Sequence, residues 1–242
     1  MTTLTDKIVI VTGAGTGIGE QVTRDLVGAG AKVALIGRRI EKLQDAAHGL
    51  PNDKYKLYSC DVSDREAVNS TVKEIIKAWD RVDILVNNAG INTKMRTTAD
   101  IDPNDWDRVI NINLTGTFNM VRAVLMTMRE QRDGIMINIS SMAGVRASKM
   151  AGAAYSASKH GMISLTHNIN QEEWEYGIRA TVICPGEVNT PILDQRPVAV
   201  PEERRERMIH PTDISAAIIF IAKLSKYTSV PELLIKPTYQ QF

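Results

Sequence analysis

The chain has 242 residues, of which 43% are hydrophobic and 24% are charged, and its formal net charge is +1. These values are typical of one globular domain, and such a balanced charge gives no sign of a nucleic-acid partner or a polybasic membrane surface. The two cysteines, Cys60 and Cys184, lie in apolar runs, so we expect no disulfide framework and a reducing, cytoplasmic setting.

Short apolar runs alternate with longer amphipathic runs along the chain. The apolar runs predict seven strands, at residues 8–12, 32–36, 56–59, 84–87, 135–139, 180–184 and 233–235. The runs between them predict helices at residues 19–28, 40–47, 65–78, 104–129, 154–176 and 212–224. We therefore expect one α/β domain over residues 1–242, a doubly wound Rossmann fold whose seven-stranded parallel sheet has helices on both faces. No apolar run approaches the ~20 residues that cross a bilayer, so we expect no membrane contact.

The first predicted strand leads directly into the glycine-rich turn Thr12-Gly13-Ala14-Gly15-Thr16-Gly17-Ile18-Gly19 and then into a helix. Glycines let the backbone approach a pyrophosphate, and the N–H groups at a helix N-terminus stabilise its charge. The spacing of Gly13, Gly17 and Gly19 is G-x-x-x-G-x-G rather than G-x-G-x-x-G. This context predicts a dinucleotide site in the N-terminal half, with a tight structural turn as the alternative.

That spacing resembles the T-G-x-x-x-G-I-G hallmark of the short-chain dehydrogenase/reductase family, and further family motifs follow in the expected order. They are Asp61-Val62, Asn87-Asn88-Ala89-Gly90, Asn113 within residues 112–116, Ser140-Ser141, Tyr155-Ser156-Ala157-Ser158-Lys159, and Pro185-Gly186. The resemblance covers essentially the whole chain. It implies an oxidoreductase that moves a hydride between a nicotinamide cofactor and a small alcohol or carbonyl substrate, and it implies a homo-oligomer, either a dimer or a tetramer.

The resemblance also implies which residues contact the cofactor. These are Gly13, Thr16, Gly17, Ile18, Gly19, Arg38, Arg39, Asp61, Val62, Asn88, Ala89, Gly90, Tyr155, Lys159, Pro185, Gly186, Val188 and Thr190. The four histidines lack metal-ligand spacing, so we expect no metal.

Tyr155 and Lys159 are four residues apart on a predicted helix, which places both on one face. A neighbouring ammonium lowers the pKa of a phenol and suits it to general acid/base work on an alcohol or carbonyl. Ser141, at a strand end, would donate a hydrogen bond to the substrate oxygen. By the family resemblance, Asn113 completes the catalytic set by holding a water that links Lys159 to solvent, and Lys159 also bonds the nicotinamide ribose. The alternatives are an exposed Tyr–Lys pair and a serine that caps a turn.

The end of the second strand indicates NADP rather than NAD. An NAD site usually places Asp or Glu there to bond the ribose 2′-hydroxyl, but this position is Gly37. Arg38 follows, and a guanidinium pairs well with a 2′-phosphate. The alternative is that Arg38 and Arg39 only solvate the next helix.

The resemblance implies that three segments contact the substrate. Residues 189–208 contain three prolines and a dense charge cluster, which predicts either a lid or a solvated helical turn. The other two segments follow Gly90 and Ser141. Cations on them either face solvent or bind a carboxylate, phosphate or sulfonate of the substrate: Lys94, Arg96, Arg146 and Lys149.

The C-terminal run from Pro231 to Phe242 lacks the glycine-rich ending of many family members. It resembles the serine 3-dehydrogenase-like branch, which acts on small hydroxy acids and β-hydroxy amino acids. A protein that keeps the fold and binds NADP as a regulator or structural protein, without turnover, is the alternative to an enzyme. The intact set of Asn113, Ser141, Tyr155 and Lys159 favours the enzyme.

Overall fold

The computed structural model describes residues 2–240, and a seven-stranded parallel sheet in the order β3-β2-β1-β4-β5-β6-β7 forms its centre. The strands are β1 Ile8–Thr12, β2 Lys32–Gly37, β3 Tyr55–Ser59, β4 Ile84–Asn87, β5 Gly134–Ile139, β6 Ile178–Pro185 and β7 Glu232–Ile235. The predicted fold class is confirmed. Gln241 and Phe242, at the end of the predicted C-terminal motif, lie outside the described residues.

The helices of residues 2–240 connect these strands in alternation. They are α1 Gly17–Gly28, α2 Ile40–Ala47, α3 Arg65–Trp79, α4 Pro103–Ile110, α5 Gly116–Gln131, α6 Met142–Val145, α7 Ala153–Glu173, α8 Glu202–Glu206 and α9 Pro211–Ala222. None of them combines the length and the apolar character that a membrane crossing demands.

The sheet separates two hydrophobic cores. Strand side chains alternate between its faces, so Val9 and Val11 pack with α1, α2 and α9, whereas Ile10 packs with α3, α5 and α7. Both cysteines are free and buried. Because both faces are covered, β1 is buried at every residue, as its continuous apolar sequence predicts.

The predicted continuous helix over residues 104–129 is wrong in its middle. The structure ends α4 at Ile110, inserts the π-helical turn Asn111–Thr115, and only then begins α5. Apolar periodicity does not distinguish an α-helical turn from a π-helical one, because one extra residue only shifts the apolar face.

Residues 189–208 form no long helix. They hold the 3-10 helix Pro191–Gln195 and the short helix α8, joined by an irregular stretch. Val188 pairs with Ile209 in an isolated parallel bridge, so both ends of this segment lie side by side next to the carboxyl end of β6.

Candidate active site

A crevice lies at the carboxyl ends of β1 and β4, where the strand order reverses direction. Open α/β sheets bind ligands at such a point. Thr12 joins the two strand ends, because its hydroxyl accepts 3.0 Å hydrogen bonds from the N–H groups of Asn88 and Ala89. The Asn88 side chain donates to the carbonyls of Thr12 (3.0 Å) and Gly13 (3.1 Å), so it fixes the glycine turn. A cleft of about 800 Å³ opens over these ends.

The glycine turn forms one wall of this cleft. Gly13 and Gly17 adopt left-handed backbone conformations, with φ of 62° and 59°, which side-chain-bearing residues disfavour. A Cβ on Gly19 would lie 2.3 Å from the Gly13 carbonyl oxygen, so only glycine allows this approach of α1. Thr16, Gly17 and Ile18 line the cleft, which brings the N-terminus of α1 to it. The first N–H groups of a helix and its dipole stabilise an anion there.

The carboxyl end of β2 forms a second part of the cleft and carries positive charge. Gly37 ends the strand without a side chain. The Arg38 side chain is 58% exposed, and its guanidinium lies 3.8 Å from the Asp61 carboxylate. Arg39 and Lys42 line the same end of the cleft. Lys42 is paired with Asp45 at 2.9 Å, so Arg38 and Arg39 supply the excess positive charge that favours an anionic group at this end.

Ser141, Tyr155 and Lys159 meet in another part of the cleft. The Ser141 hydroxyl caps α6 by accepting a 3.1 Å hydrogen bond from the Ala143 N–H, and it also hydrogen-bonds the Tyr155 side chain. Lys159 follows Tyr155 by one turn of α7, and its Nζ lies 5.6 Å from the Tyr155 ring centre. That Nζ donates a 2.7 Å hydrogen bond to the Ile139 carbonyl at the end of β5.

A glycine and a serine bring α6 against α7. A Cβ on Gly144 would lie 2.6 Å from both the Lys159 carbonyl oxygen and the Ser140 hydroxyl. Ser140 donates a 2.9 Å hydrogen bond to the Lys159 carbonyl. Ser140 therefore holds the backbone of α7, while its neighbour Ser141 faces Tyr155.

Burial controls the protonation of both the amine and the phenol. It lowers the pKa of Lys159 from 10.5 to about 8. Burial also raises the pKa of Tyr155 above its ordinary value, while the hydrogen bond from Ser141 and the charge of Arg96 oppose this shift. The sequence led us to expect that Lys159 lowers the pKa of Tyr155. The net shift is instead upward, because the whole group is poorly solvated, and the phenol carries its proton at neutral pH.

Asn113 lies in the π-helical turn and is fully buried. Its side-chain oxygen accepts a 2.8 Å hydrogen bond from the Ile91 N–H, and its Nδ2 donates to the Ile91 carbonyl (3.0 Å) and the Ser158 hydroxyl (3.1 Å). A Cβ on Gly90 would lie 3.4 Å from Asn113 Oδ1 and 3.6 Å from Lys159 Nζ. Asn113 therefore lies behind Gly90 and supports the cleft from beneath.

The structure brings nearly all the sequence-predicted site residues to one cleft. Those that line it are Gly13, Thr16, Gly17, Ile18, Arg38, Arg39, Asp61, Val62, Asn88, Ala89, Gly90, Ser141, Tyr155, Lys159, Pro185, Gly186, Val188 and Thr190. The other two, Gly19 and Asn113, lie behind its wall. Neither contributes surface to the cleft, since Gly19 packs under Gly13 and Asn113 under Gly90.

The candidate substrate cations divide into two groups. Lys94, Arg146 and Lys149 are exposed, as the simpler interpretation of these loops expected, although Arg146 borders the cleft. Arg96, in contrast, is buried in the cleft wall, with 6% of its surface exposed.

A charged cluster that the sequence did not predict also lines the cleft. The buried Glu187 carboxylate accepts hydrogen bonds from Arg204 (2.8 Å) and Tyr239 (2.8 Å), and it pairs with Arg196 at 2.9 Å. Burial alone would raise the pKa of Glu187, but these three partners hold it below its ordinary value. Arg196 and Tyr239 lie 9 and 52 residues from Glu187 along the chain, so no local sequence motif predicts the cluster. The dense charge of residues 189–208 is the sequence feature that could have indicated it.

The fold and the crevice define a Rossmann-fold protein of the doubly wound class. The chain belongs to the short-chain dehydrogenase/reductase family, because the model of the short chain dehydrogenase family matches residues 7–199. It is therefore an oxidoreductase by family.

Relatives and solved structures agree with this assignment. An uncharacterised oxidoreductase of Staphylococcus aureus strain USA300 is 36% identical over 237 residues, which cover 98% of this chain and 100% of the relative. The closed form of a serine dehydrogenase complexed with NADP+ superposes with a TM-score of 0.89 and 31% sequence identity. The match covers 97% of this chain and 96% of the serine dehydrogenase chain. A levodione reductase superposes with a TM-score of 0.87 and 30% sequence identity, and the match covers 96% of this chain and 97% of the reductase chain.

Proposed function

We propose that this chain is an NADP(H)-dependent oxidoreductase that transfers a hydride between nicotinamide and a small alcohol or carbonyl substrate, with Tyr155 as general acid/base. One observation carries the proposal. The Ser141 hydroxyl, the Tyr155 hydroxyl and the Lys159 amine converge on the same cleft as the glycine turn. A nucleotide held by the turn would thus lie next to groups that can move a proton.

The residues of the cleft fit NADP(H). The glycine turn and the N-terminus of α1 would hold the pyrophosphate. Arg38, Arg39 and Lys42 would bind the 2′-phosphate, and Gly37 presents no carboxylate that would repel it. The similar serine dehydrogenase structure contains NADP+, which supports the same cofactor here. When bound, the nicotinamide supplies or accepts the hydride.

The side chains beside Tyr155 would manage the proton. In reduction, the neutral Tyr155 phenol donates a proton to the carbonyl oxygen, and Ser141 stabilises that oxygen with a second hydrogen bond. In oxidation, Tyr155 accepts the alcohol proton. Lys159, with its pKa near 8, exchanges protons at neutral pH and would bond the nicotinamide ribose. Asn113 holds Ile91 and Ser158, and so keeps the floor under Lys159 rigid.

We also propose that residues 189–208 act as a lid. Thr190, Pro191, Ile192 and Leu193 line the cleft from this segment, and Ile192 keeps 38% of its surface exposed. A bound nucleotide and substrate would cover such apolar surface.

The apolar surface of α4 and α5 supports the proposed homo-oligomer. Trp106, Phe118 and Met126 are 37%, 39% and 58% exposed, and Phe118 and Met126 share one face of α5. An apolar patch that combined these side chains would mark a protein–protein contact.

The direct test of the proposed function is oxidation of NADPH against a panel of aldehydes and ketones, with the reverse reaction measured on alcohols and NADP. The Tyr155→Phe variant should reduce kcat by at least about 100-fold, because it removes the proton donor. Its NADPH affinity, measured by fluorescence titration, should remain that of the parent protein.

The matched control is Tyr227→Phe, which removes a hydroxyl from a tyrosine that is 87% exposed, and it should keep full activity. Substantial turnover by Tyr155→Phe would overturn the role of this phenol. NADPH binding without turnover of any panel member would favour the alternative, a regulator of the same fold.

A further inference from the structure

The backbone fixes the proposed lid, residues 189–208, at its two ends. The Asn189 N–H donates to the Ile209 carbonyl at 2.9 Å, and the Ile209 N–H donates to the Glu187 carbonyl at 3.0 Å. The other backbone–backbone hydrogen bonds described for the lid are internal to it. Side chains therefore determine where the middle of the lid lies relative to the cleft.

Glu187, two residues before the lid, binds two arginines from the lid. Its carboxylate pairs with Arg196 at 2.9 Å and with Arg204 at 2.8 Å. The Glu187 and Arg196 side chains are only 9% and 16% exposed. Because water has little access to this inner pair, it is held more firmly than a surface ion pair. Both contacts draw the lid back toward the carboxyl end of β6.

The C-terminal segment joins the same carboxylate. The Tyr239 hydroxyl donates a 2.8 Å hydrogen bond to Glu187, and the Glu187 N–H donates to Gln240 Oε1 at 3.2 Å. The Arg207 guanidinium, which also belongs to the lid, lies 5.4 Å from the centre of the Tyr239 ring. Glu187 thus connects the lid to the C-terminal segment as well as to β6.

Glu187 also neutralises a charge that would otherwise push the lid outward. Arg96 in the cleft wall donates to the carbonyl of Gln195 in the lid, so the next residue, Arg196, lies near a second guanidinium. Burial, followed by the charge of Arg196, lowers the pKa of Arg96, which shows that the two cations repel each other. Without the Glu187 carboxylate, this repulsion would lack its counter-charge.

The first residues of the lid lie against the glycine turn. A Cβ on Gly17 would lie 3.2 Å from the Thr190 Cβ and 3.5 Å from the Pro191 Cδ. Gly17 begins α1, whose N-terminus is the proposed pyrophosphate site. A nucleotide held there would contact the lid, so its departure requires the lid to move.

We propose that Glu187 is a positioning residue that holds the lid over the cofactor, and that separation of Glu187 from Arg196 and Arg204 allows the nucleotide to leave. The inference rests on the proposed lid and NADP(H) site, but it does not rest on turnover. Glu187 acts through the lid rather than on the reacting atoms. Its loss should therefore accelerate cofactor release.

The rate of NADPH dissociation tests the proposal. It is measured by stopped-flow fluorescence, with excess NADP+ to displace NADPH from the saturated protein. Glu187→Gln keeps the size of the side chain and removes its charge, so the dissociation rate should rise roughly 10- to 100-fold. The control Glu172→Gln changes an exposed glutamate of α7 and should release NADPH as the parent does. A parent-like rate in Glu187→Gln would overturn the proposal.

Cleavage by trypsin reports the position of the lid itself. Trypsin cuts after arginine, and Glu187→Gln leaves the lid sites Arg204, Arg205 and Arg207 unchanged. With NADPH bound, cleavage at these sites, identified by mass spectrometry, should be at least about 10-fold faster than in the parent. The rest of the chain should resist cleavage as before. Faster NADPH release without faster cleavage of the lid would contradict a role through the lid.

A second set of variants separates this contact from general destabilisation. Arg196→Gln should accelerate NADPH release on its own, but it should add nothing in the Glu187→Gln background, because both changes remove the same contact. Independent, multiplying effects would count against the proposal. If Glu187→Gln fails to fold, Tyr239→Phe removes only one hydroxyl and should raise the release rate roughly 3- to 10-fold. Parent-like release from both Tyr239→Phe and Arg196→Gln would overturn the assignment.

These measurements distinguish the lid contact from the proposed reaction. Accelerated NADPH release from Glu187→Gln, in a protein that turns over no alcohol or carbonyl, would support the role of Glu187 and reject the proposed function. Turnover by the parent with unchanged release from Glu187→Gln would do the reverse.

Discussion

At the scale of single residues, burial changes the chemistry that residue type alone suggests. Lys159 and Arg96 are cations with little access to water, yet they respond differently. Burial lowers the pKa of Lys159 to about 8, so the amine can lose its charge, whereas Arg96 keeps its charge and lacks a carboxylate partner within residues 2–240. The Lys159 amine therefore suits proton exchange, whereas the Arg96 guanidinium is a fixed charge that joins two loops through the Met150 and Gln195 carbonyls.

The pKa of Lys159 predicts a specific pH dependence of stability in the cofactor-free protein. The unfolded chain keeps this proton until the pH nears 10.5, but the folded chain releases it near pH 8. Between these values the unfolded state binds more protons, so raising the pH favours the folded state. Relative to Lys159→Met, the parent should gain up to about 3 kcal/mol in unfolding free energy between pH 7 and 10.5.

Urea unfolding at a series of pH values measures this difference. The exposed Lys149→Met variant serves as control, because it removes a lysine without removing a buried charge, and its stability should follow that of the parent. Parallel pH profiles for the parent and Lys159→Met would show that Lys159 is not desolvated in solution.

The proposed preference for NADP over NAD can be tested at a single residue, Arg38. Arg38→Asp should reduce kcat/KM with NADP by roughly 10- to 100-fold. The substitution replaces a cationic hydrogen-bond donor with a carboxylate, which repels the negatively charged 2′-phosphate. Efficiency with NAD should rise. Steady-state kinetics with both cofactors measures the change, and Arg108→Asp, at a 56% exposed arginine of α4, is the control. A parent enzyme equally efficient with both cofactors would contradict the NADP preference.

At the scale of elements, the close approach of α1 to β1 creates the candidate phosphate site. Gly19 allows it, since a Cβ there would lie 2.3 Å from the Gly13 carbonyl oxygen. The π-helical turn Asn111–Thr115 shapes another part of the cleft wall, because it buries the Asn113 side chain under Gly90. In both places an irregular backbone feature determines which groups reach the cleft.

Two glycines of α1 provide a matched pair of alanine substitutions. Gly19→Ala should destabilise the fold by about 1–3 kcal/mol, because the new methyl group collides with backbone atoms, and it should weaken NADPH binding. Gly28→Ala meets no atom within 4 Å, so it should be neutral or stabilise by up to about 1 kcal/mol. Thermal unfolding and NADPH titration measure both. A Gly19→Ala variant as stable as the parent would contradict the close packing of α1 against this turn.

At the scale of the whole molecule, the parallel sheet gathers distant segments at one edge. The carboxyl ends of β1, β2, β4, β5 and β6 all border the cleft, and residues from Gly13 to Gln240 line it. Arg96 and Gln195, which are 99 residues apart, are hydrogen-bonded there. A site of this kind exists only when the sheet is complete.

The exposed apolar face of α5 predicts association of whole molecules. Sedimentation analysis should give a dimer or a tetramer for the parent protein. Introducing charge by Phe118→Asp together with Met126→Asp should yield a folded monomer, since both side chains share this face and are exposed. A parent monomer, or an unchanged mass in the double variant, would contradict the proposed contact; circular dichroism checks that the variant remains folded.

The sequence by itself determined the fold class, the position of the glycine turn and the spacing of Tyr155 and Lys159. These are local properties, since strand and helix periodicity, glycine spacing and the i, i+4 relation need only neighbouring residues. The family resemblance added the order of the motifs. The missing carboxylate at Gly37 was also evident from the sequence, because strand ends can be located from the apolar pattern.

Only the tertiary structure decided which of these groups reach the cleft and in what state. It buried Arg96 while leaving Lys94 exposed, and it placed Asn113 behind the wall. It also raised the pKa of Tyr155, where the sequence predicted the reverse. The physical reason is that burial and electrostatic balance depend on every segment packed around a group, and these segments are far apart along the chain.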